Sequence, residues 1–482
     1  MKRTLFAPTR LVGAMAAVLV LAGCASISPD GLRGAVQSHT ASRLPDGAQL
    51  PPTDLQARDA AQQRIGEWLR QPLDMDQSVR IALLNNPGLQ ARLAQLGVQD
   101  AERVQALTLP NPTLALGRMV NSDEREIERQ LSFGLVSLIT LPWRSRWQGM
   151  QMEQATLTAA QDVLRLAADT RRVWLRAVAA RQQLASSERM HEAAEAGAEL
   201  ARRMARVGNF SRLQQARELS IQQDTAAQLA RARLAATAEH EQLARLMGLW
   251  GRRIDFKLPD QLPAIPQAAT QLRSGDDAEA TALRERLDLR ALRRDLDQLA
   301  ERRGWARLGA MFGDIGLGYN RNTATDRATG HSDVTRGWEI DLPLPLFDWG
   351  GAASGRARAE VQRSAAQLQQ GAIQARAEAR SSWMRYRTAW DLAHQQQAEV
   401  LPLRRFIQDE TMLRYNGMFV SVWELLAEAR NSAQAVATAT DAQRDFWLAE
   451  TDLQLALAGT SPGTVEAASS TAAPIPTNTA SH

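Results

Sequence analysis

Two periods of hydrophobic and polar positions alternate along this 482-residue chain, and they recur in the same order. From Trp143 to Leu258 there is no proline and little glycine. Ala, Leu, Arg, Gln and Glu dominate there, the residues that lose least on entering a helix. Small or apolar side chains fall at alternating spacings of three and four, at Leu157, Ala160, Leu164, Ala167, Trp174 and Val178, with Arg171 the one interruption. That period predicts a helix seam packed against other helices. The run breaks at Val207-Gly208-Asn209-Phe210-Ser211. Gly208 can take the left-handed conformation that ends one helix, and Ser211 can cap the next. The stretch therefore predicts a long helical hairpin whose first arm, of about 60 residues, spans roughly 90–95 Å. Such an arm is too long and too charged to lie in a bilayer, and suits an aqueous gap. A second helix-forming run extends from Gly350 to Ala458 and turns between Tyr415 and Ser421. Its internal Pro402 is expected to kink the arm rather than end it.

Ahead of each helical run the period changes to two. Ile315, Leu317 and Tyr319 alternate with Asp314, Gly316, Gly318 and Asn320. After a polar loop from Thr323 to Asp333, Trp338, Ile340, Leu342 and Leu344 alternate with Gly337, Glu339 and Asp341. Earlier in the chain Leu114 and Leu116 form a short version. A loop from Asn121 to Glu126 follows, and then Leu131, Phe133 and Leu135 alternate with Gln130, Ser132 and Gly134. Such strands have one apolar and one polar face. They either lie as hairpins on a soluble core or cross a membrane. Four strands alone would leave open edges unpaired in lipid, so a membrane sheet requires several chains sharing one closed barrel. Two chains would give eight strands and a filled interior; three would give twelve and a lumen. Asp314, Glu339 and Asp341 on the polar face want water, which favours the trimer, with these three lining the lumen.

The two halves match each other. Asp74 caps a helix with Gln77 in the reciprocal capping-box position, and that helix runs through Ala82-Leu83-Leu84-Asn85-Asn86-Pro87-Gly88-Leu89-Gln90-Ala91. The segment Ala282 to Ala291 agrees with it at four of ten positions. Leu141-Pro142 corresponds to Leu344-Pro345 at an offset of 203, and Gly208 to Ser211 corresponds to Gly417 to Ser421 at an offset of 209. Three matches in one order point to a tandem duplication of about 200 residues. The expected organisation is a first repeat over 74–250, a linker over 251–277 with Pro259, Pro263 and Pro266, and a second repeat over 278–459. Residues 24–73, with Pro45, Pro51 and Pro52, predict an extended segment on a surface. The Ser/Thr/Ala/Pro-rich stretch 460–482 predicts disorder.

Composition narrows the function. There are 57 basic and 53 acidic residues, with no dense basic patch interleaved with aromatics, so nucleic acid is excluded as a partner. Lys2 and Arg3 precede a short apolar stretch, Leu11 to Ala22, and then Leu21-Ala22-Gly23-Cys24. The apolar stretch is too short for a spanning helix and predicts a signal peptide over 1–23. Small residues before the only cysteine resemble a bacterial lipobox, in which Cys24 is acylated. The alternative is an ordinary signal peptide. Without an Asp beside Cys24, the lipoprotein reading favours the outer membrane of a Gram-negative bacterium. The six histidines show no metal-ligand spacing and there is no second cysteine, so neither metal nor cofactor is expected. Gly316-Leu317-Gly318 lacks the third glycine of a phosphate loop. No constellation of catalytic side chains stands out, and an enzyme is not expected. The 12 tryptophans against 3 tyrosines have no explanation in the pattern.

The Ala-Leu-x-x-Asn-Pro-x-Leu helix at Ala82 to Leu89, the Leu-Pro-Leu-Phe-Asp junction at Leu344 to Asp348, and the tip at Tyr415 to Leu426 resemble the TolC-like outer-membrane factors. The resemblance covers roughly 74–250 and 278–458. It departs at Arg286-Leu287, in place of a second Asn-Pro pair, and at Trp143-Arg144-Ser145, where Phe-Asp-Gly is usual. The resemblance implies a mainly α chain with a membrane β-barrel portion. Each chain would repeat a helix, a strand pair and a long helical hairpin. Three chains would share a twelve-stranded barrel that continues into an α-helical periplasmic tunnel.

By the same resemblance, the function is the passive exit duct of a tripartite efflux or export system. Its partners would be two further copies, a periplasmic adaptor, a proton- or ATP-driven inner-membrane pump and outer-membrane lipid. The tips, with Gly208, Phe210, Ser211, Gly417, Phe419 and Ser421, would dock the adaptor. On the residues alone, Phe210 and Phe419 either stand exposed or staple the arms together. Glu424 and Glu428 fall near the positions where the family closes its tunnel with acidic rings; a solvated helix face would look the same. The alternative of a different class is a structural periplasmic coiled-coil lipoprotein that conducts nothing. An adaptor, a further alternative, would show one hairpin flanked by compact β modules.

Overall fold

A computed structural model describes residues 26–311, 315–344 and 346–463. The signal segment, Cys24, Asp314 and residues 464–482 of the tail lie outside the described residues. In chain order the elements are α1 (Arg33–Thr40), α2 (Leu55–Trp68), α3 (Met75–Asn85), α4 (Pro87–Leu107), β1 (Thr113–Val120), β2 (Glu124–Gly134), α5 (Val136–Arg206) and α6 (Arg212–Leu246). They continue as α7 (Ala278–Glu285), α8 (Leu287–Met311), β3 (Gly316–Asp326), β4 (Ser332–Asp341), α9 (Gly351–Gln395), α10 (Leu401–Asn416) and α11 (Val422–Ala458). A helix pair, a strand pair and a helical hairpin therefore occur twice, as the repeat predicts.

The described residues form two compact units, one within 1–181, 233–261 and 287–373, the other within 182–232, 262–286 and 374–482. In the first, the expected seam is the core: Leu157, Ala160, Leu164, Ala167, Trp174 and Val178 are all buried. Leu83, Leu93 and Leu243 are also fully buried there, and the Trp174 indole donates to Leu73 O at 2.9 Å. In the second unit Ile265, Tyr386, Trp390, Ala393, Phe446 and Leu453 form a buried cluster. Tryptophan has a clear use here. The indoles of Trp383, Trp390 and Trp447 donate to the carbonyls of Arg273, Pro266 and Pro263. This part of the linker is thus clamped, since a buried indole N–H needs an acceptor and a proline-rich segment has spare carbonyls.

Several boundaries differ from expectation. The helix beginning at Asp74 is broken at Asn86, which is extended (ψ 117°) ahead of Pro87, because a residue before proline is pushed out of the helical region. Residues 26–73 are not simply extended. Asp54 caps α2 by accepting from Ala57 N, and the Ser28 N–H donates to buried Asp100 at 2.7 Å. Helix α5 starts at Val136, straight after Leu135 N–H donates to Ile315 O, and so carries Pro142 inside it rather than ahead of it. Pro402 does not end its arm: a π-turn over Gln396–Val400 precedes α10, and a widened turn accommodates the missing N–H. At the expected start of the tail, Thr460 is buried and Ser461 Oγ donates to Glu378, so 460–463 are packed.

The sheet is antiparallel throughout, in the order β1-β2-β3-β4. Its connections are shorter than the hydropathy pattern predicts, residues 121–123 and 327–331. Asn121 Oδ1 accepts from the N–H groups of Asp123 and Glu124, and Asp326 Oδ1 from those of Ala328 and Thr329. These side-chain turns let polar residues stay in the ladder.

Candidate channel wall, hairpin tips and gate residues

Register determines what each face of the sheet carries, since directly opposed residues point the same way. One face holds Glu124, Glu126 and Glu128 of β2, Asp326 of β3, and Asp333, Glu339 and Asp341 of β4. Glu339 accepts from Asn320 Nδ2 at 2.8 Å and Gln130 Nε2 at 3.0 Å. Asp341 lies opposite Gly316, where a Cβ would come within 2.9 Å of the carboxylate. The glycine makes room for the acid. Glu339 and Asp341, named from the sequence, therefore share this polar face, while Asp314 is not among the described residues. Of the three β2 glutamates, Glu124 and Glu126 were hidden inside the expected loop from Asn121 to Glu126, and Glu128 lay just past it. Their period-two spacing was the available signal, masked because Arg125 and Arg129 replace the usual apolar alternates. The opposite face carries Leu114, Leu131, Phe133, Leu317, Trp338 and Ile340, with Tyr319 tilted against Trp338 at 5.1 Å between ring centroids.

The first tip is built as expected. Gly208 is left-handed (φ +79°), Asn209 N–H donates to Met204 O, and Ser211 and Gln214 form a reciprocal cap. Phe210, however, is half-buried and stacks on Trp423 of α11 at 4.8 Å, so it joins the first tip to the second hairpin and does not pin its own two arms together. The second tip differs. Gly417 has φ −81°, and the left-handed residue is Met418 (φ +64°). Gly417 serves another purpose: a Cβ there would meet the Phe419 ring at 2.8 Å. Met418 and Phe419 are 93% and 83% exposed. Ser421 caps α11 by accepting from Glu424 N.

Glu424 is exposed in the first turn of α11, where the helix dipole favours an acid. Glu428 is different: its side chain is largely buried, 3.8 Å from Arg404 and in contact with Asn431. Among the described residues no group of three or more His, Cys, Asp or Glu could hold a metal, and no helix is long and apolar enough to cross a membrane.

No known protein family matches the chain by sequence, and no curated protein does. Solved structures do match its fold. The Campylobacter jejuni CmeC outer membrane channel is 16% identical, with 81% of this chain and 86% of that one aligned, at a TM-score of 0.66. The outer membrane protein VceC of Vibrio cholerae is 15% identical over 80% of this chain and 96% of its own, at 0.63. The open state of the Neisseria gonorrhoeae MtrE outer membrane channel is 17% identical over 80% and 89%, at 0.56. With its doubled helix–strand pair–hairpin order, the chain has the fold of the TolC-like outer-membrane factors.

Proposed function

We infer that the protein is a TolC-like outer-membrane channel, the exit duct of a tripartite efflux or export system, acting as a trimer and not as an enzyme. The observation that carries this reading is the sorted sheet. Seven carboxylates on one face and an apolar band on the other are what a wall between water and lipid requires. Its edge strands β1 and β4 want partners, and three copies would close twelve strands around an acidic lumen lined by Glu339 and Asp341. The structural neighbours, named as outer membrane channels, support the same reading.

The finer roles follow from position. Cys24 would carry the lipid anchor. Phe419, Met418 and the turn around Gly417 present apolar surface for a periplasmic adaptor, with Gly208 and Ser211 shaping the first tip. Phe210 contributes by stacking rather than by contact. Transport energy would come from an inner-membrane pump. Of the two gate candidates, Glu424 suits an acidic ring, because three exposed carboxylates brought together repel one another and attract cations. Glu428 serves instead as an inter-helix contact.

Native mass spectrometry of the detergent-extracted protein is expected to give a trimer with acyl mass on Cys24, and planar bilayers are expected to show discrete conductance. Glu424→Ala should leave the trimer intact and raise leak conductance. A monomer extractable without detergent, with no conductance, would sink the channel reading in favour of a structural coiled-coil lipoprotein.

A further inference from the structure

The apolar face of the sheet carries an unexplained charge pattern. Arg118, Arg125, Arg129, Arg321 and Arg336 all lie on it, and no Asp or Glu does. Three of them form a row, Arg129 opposite Arg321 and Arg321 opposite Arg336. Directly opposed residues have Cβ atoms about 5 Å apart, and like charges so placed are destabilising. All five are exposed, and none is ion-paired among the described residues. The carboxylates of the sheet are on the opposite face, so none lies beside this row. Closing the sheet with further copies adds none, because every copy has the same face free of acids. The counter-charge has to come from outside the protein.

The position of the row points to its source. It lies one alternation beyond the row of Leu131, Tyr319 and Trp338, roughly 7 Å further from the helices along the strands. Tyr and Trp mark the level of lipid headgroups on membrane proteins. Arginine facing lipid is costly at mid-bilayer and nearly free of that cost at the interface, so three adjacent arginines belong at headgroup level. A planar guanidinium matches phosphate through paired N–H donors, and several side by side match a multiply phosphorylated group.

We propose that Arg129, Arg321 and Arg336 bind the phosphates of an anionic lipid headgroup, a phosphorylated glycolipid in the leaflet remote from the helices. This rests on the membrane-channel reading above, which sets the apolar face against lipid. Arg118 on the next row and Arg125 on the one after it extend the basic surface.

The test uses the full-length detergent-extracted protein, titrated by native mass spectrometry with bisphosphorylated lipid A and with its dephosphorylated form. Wild type is expected to prefer the phosphorylated lipid by at least about tenfold, the worth of one charge-assisted contact. Arg321→Gln should weaken that binding by about tenfold, and R129Q/R321Q/R336Q should abolish the preference. Arg321→Lys, which keeps charge but loses the fork, should fall between. Equal binding of the two lipids by wild type overturns the proposal without any variant. So does an unchanged preference in the triple variant, or displacement of the lipid by equimolar inorganic phosphate, which would indicate a free-anion site. Conductance in planar bilayers separates the two readings. Normal conductance without lipid preference sinks only the arginine site, whereas a wild type that never conducts sinks the channel.

Discussion

The two copies of the repeat break their leading helix pair at the same place with different chemistry. In the first, Asn86 is extended ahead of Pro87, its Oδ1 accepts from Leu89 N, and its Nδ2 donates to Leu246 O. Asn85 donates to Met247 O and Gly248 O beside it. In the second, Arg286 takes the same extended conformation (ψ 127°) with no proline after it. It is 2% exposed and donates to Glu378 Oε2 at 2.7 Å, while Glu378 also accepts from Ser461 Oγ and Gln374 Nε2. One break is written into the local backbone; the other is held by a buried ion pair 92 residues apart in sequence. The lesson is that an absent motif does not mean an absent geometry.

The sharpest way to break this comparison is to remove the counter-charge. Glu378→Ala should destabilise the protein by about 3 kcal/mol, because it strands a buried guanidinium, read as a lower midpoint in urea followed by tryptophan fluorescence. A loss under 1 kcal/mol would mean that the ion pair does not hold the break. The effect is pH-dependent. Burial works to raise the Glu378 carboxyl, but hydrogen bonds from Ser461, Arg286 and Gln374 outweigh it and hold it below its ordinary 4.5. A depressed carboxylate contributes stability that is present above the unfolded value and lost as pH falls through the folded one. Wild type should therefore lose its advantage over the variant only below about pH 4.5.

Asn86→Ala, the matching change in the first copy, should cost less, about 1–2 kcal/mol, for a lost cap and a lost hydrogen bond. If it costs more than Glu378→Ala in the same titration, the ranking of the two mechanisms is reversed. The smallest effects belong to the tips, and they should differ in sign. Gly208→Ala should destabilise by about 1 kcal/mol, since Ala is strained at positive φ. Met418→Gly should stabilise by about 0.5 kcal/mol by relieving the same strain. Equal signs in thermal unfolding would show that the two turns are alike after all.

Much of the fold was legible because it is local. The seam from Leu157 to Val178 and the Asp74–Gln77 capping box repeat within a turn or two of helix. What the pattern missed was of two kinds. Strand ends built on alternating charge, such as Glu124 to Arg129, carry no hydropathy signal. The roles of Phe210 and Glu428 depended on Trp423 and Arg404, partners that lie in other elements.

The sequence by itself determined the two periods, the duplication and the order of elements, because helix and strand preferences act over a few residues. The tertiary structure decided which charges share a face, which tryptophans clamp the linker and how Arg286 replaces a proline. Those outcomes rest on contacts such as Trp390 to Pro266 and Trp447 to Pro263, spanning 124 and 184 residues. No local preference specifies them; they exist only once the chain has brought distant donors and acceptors together.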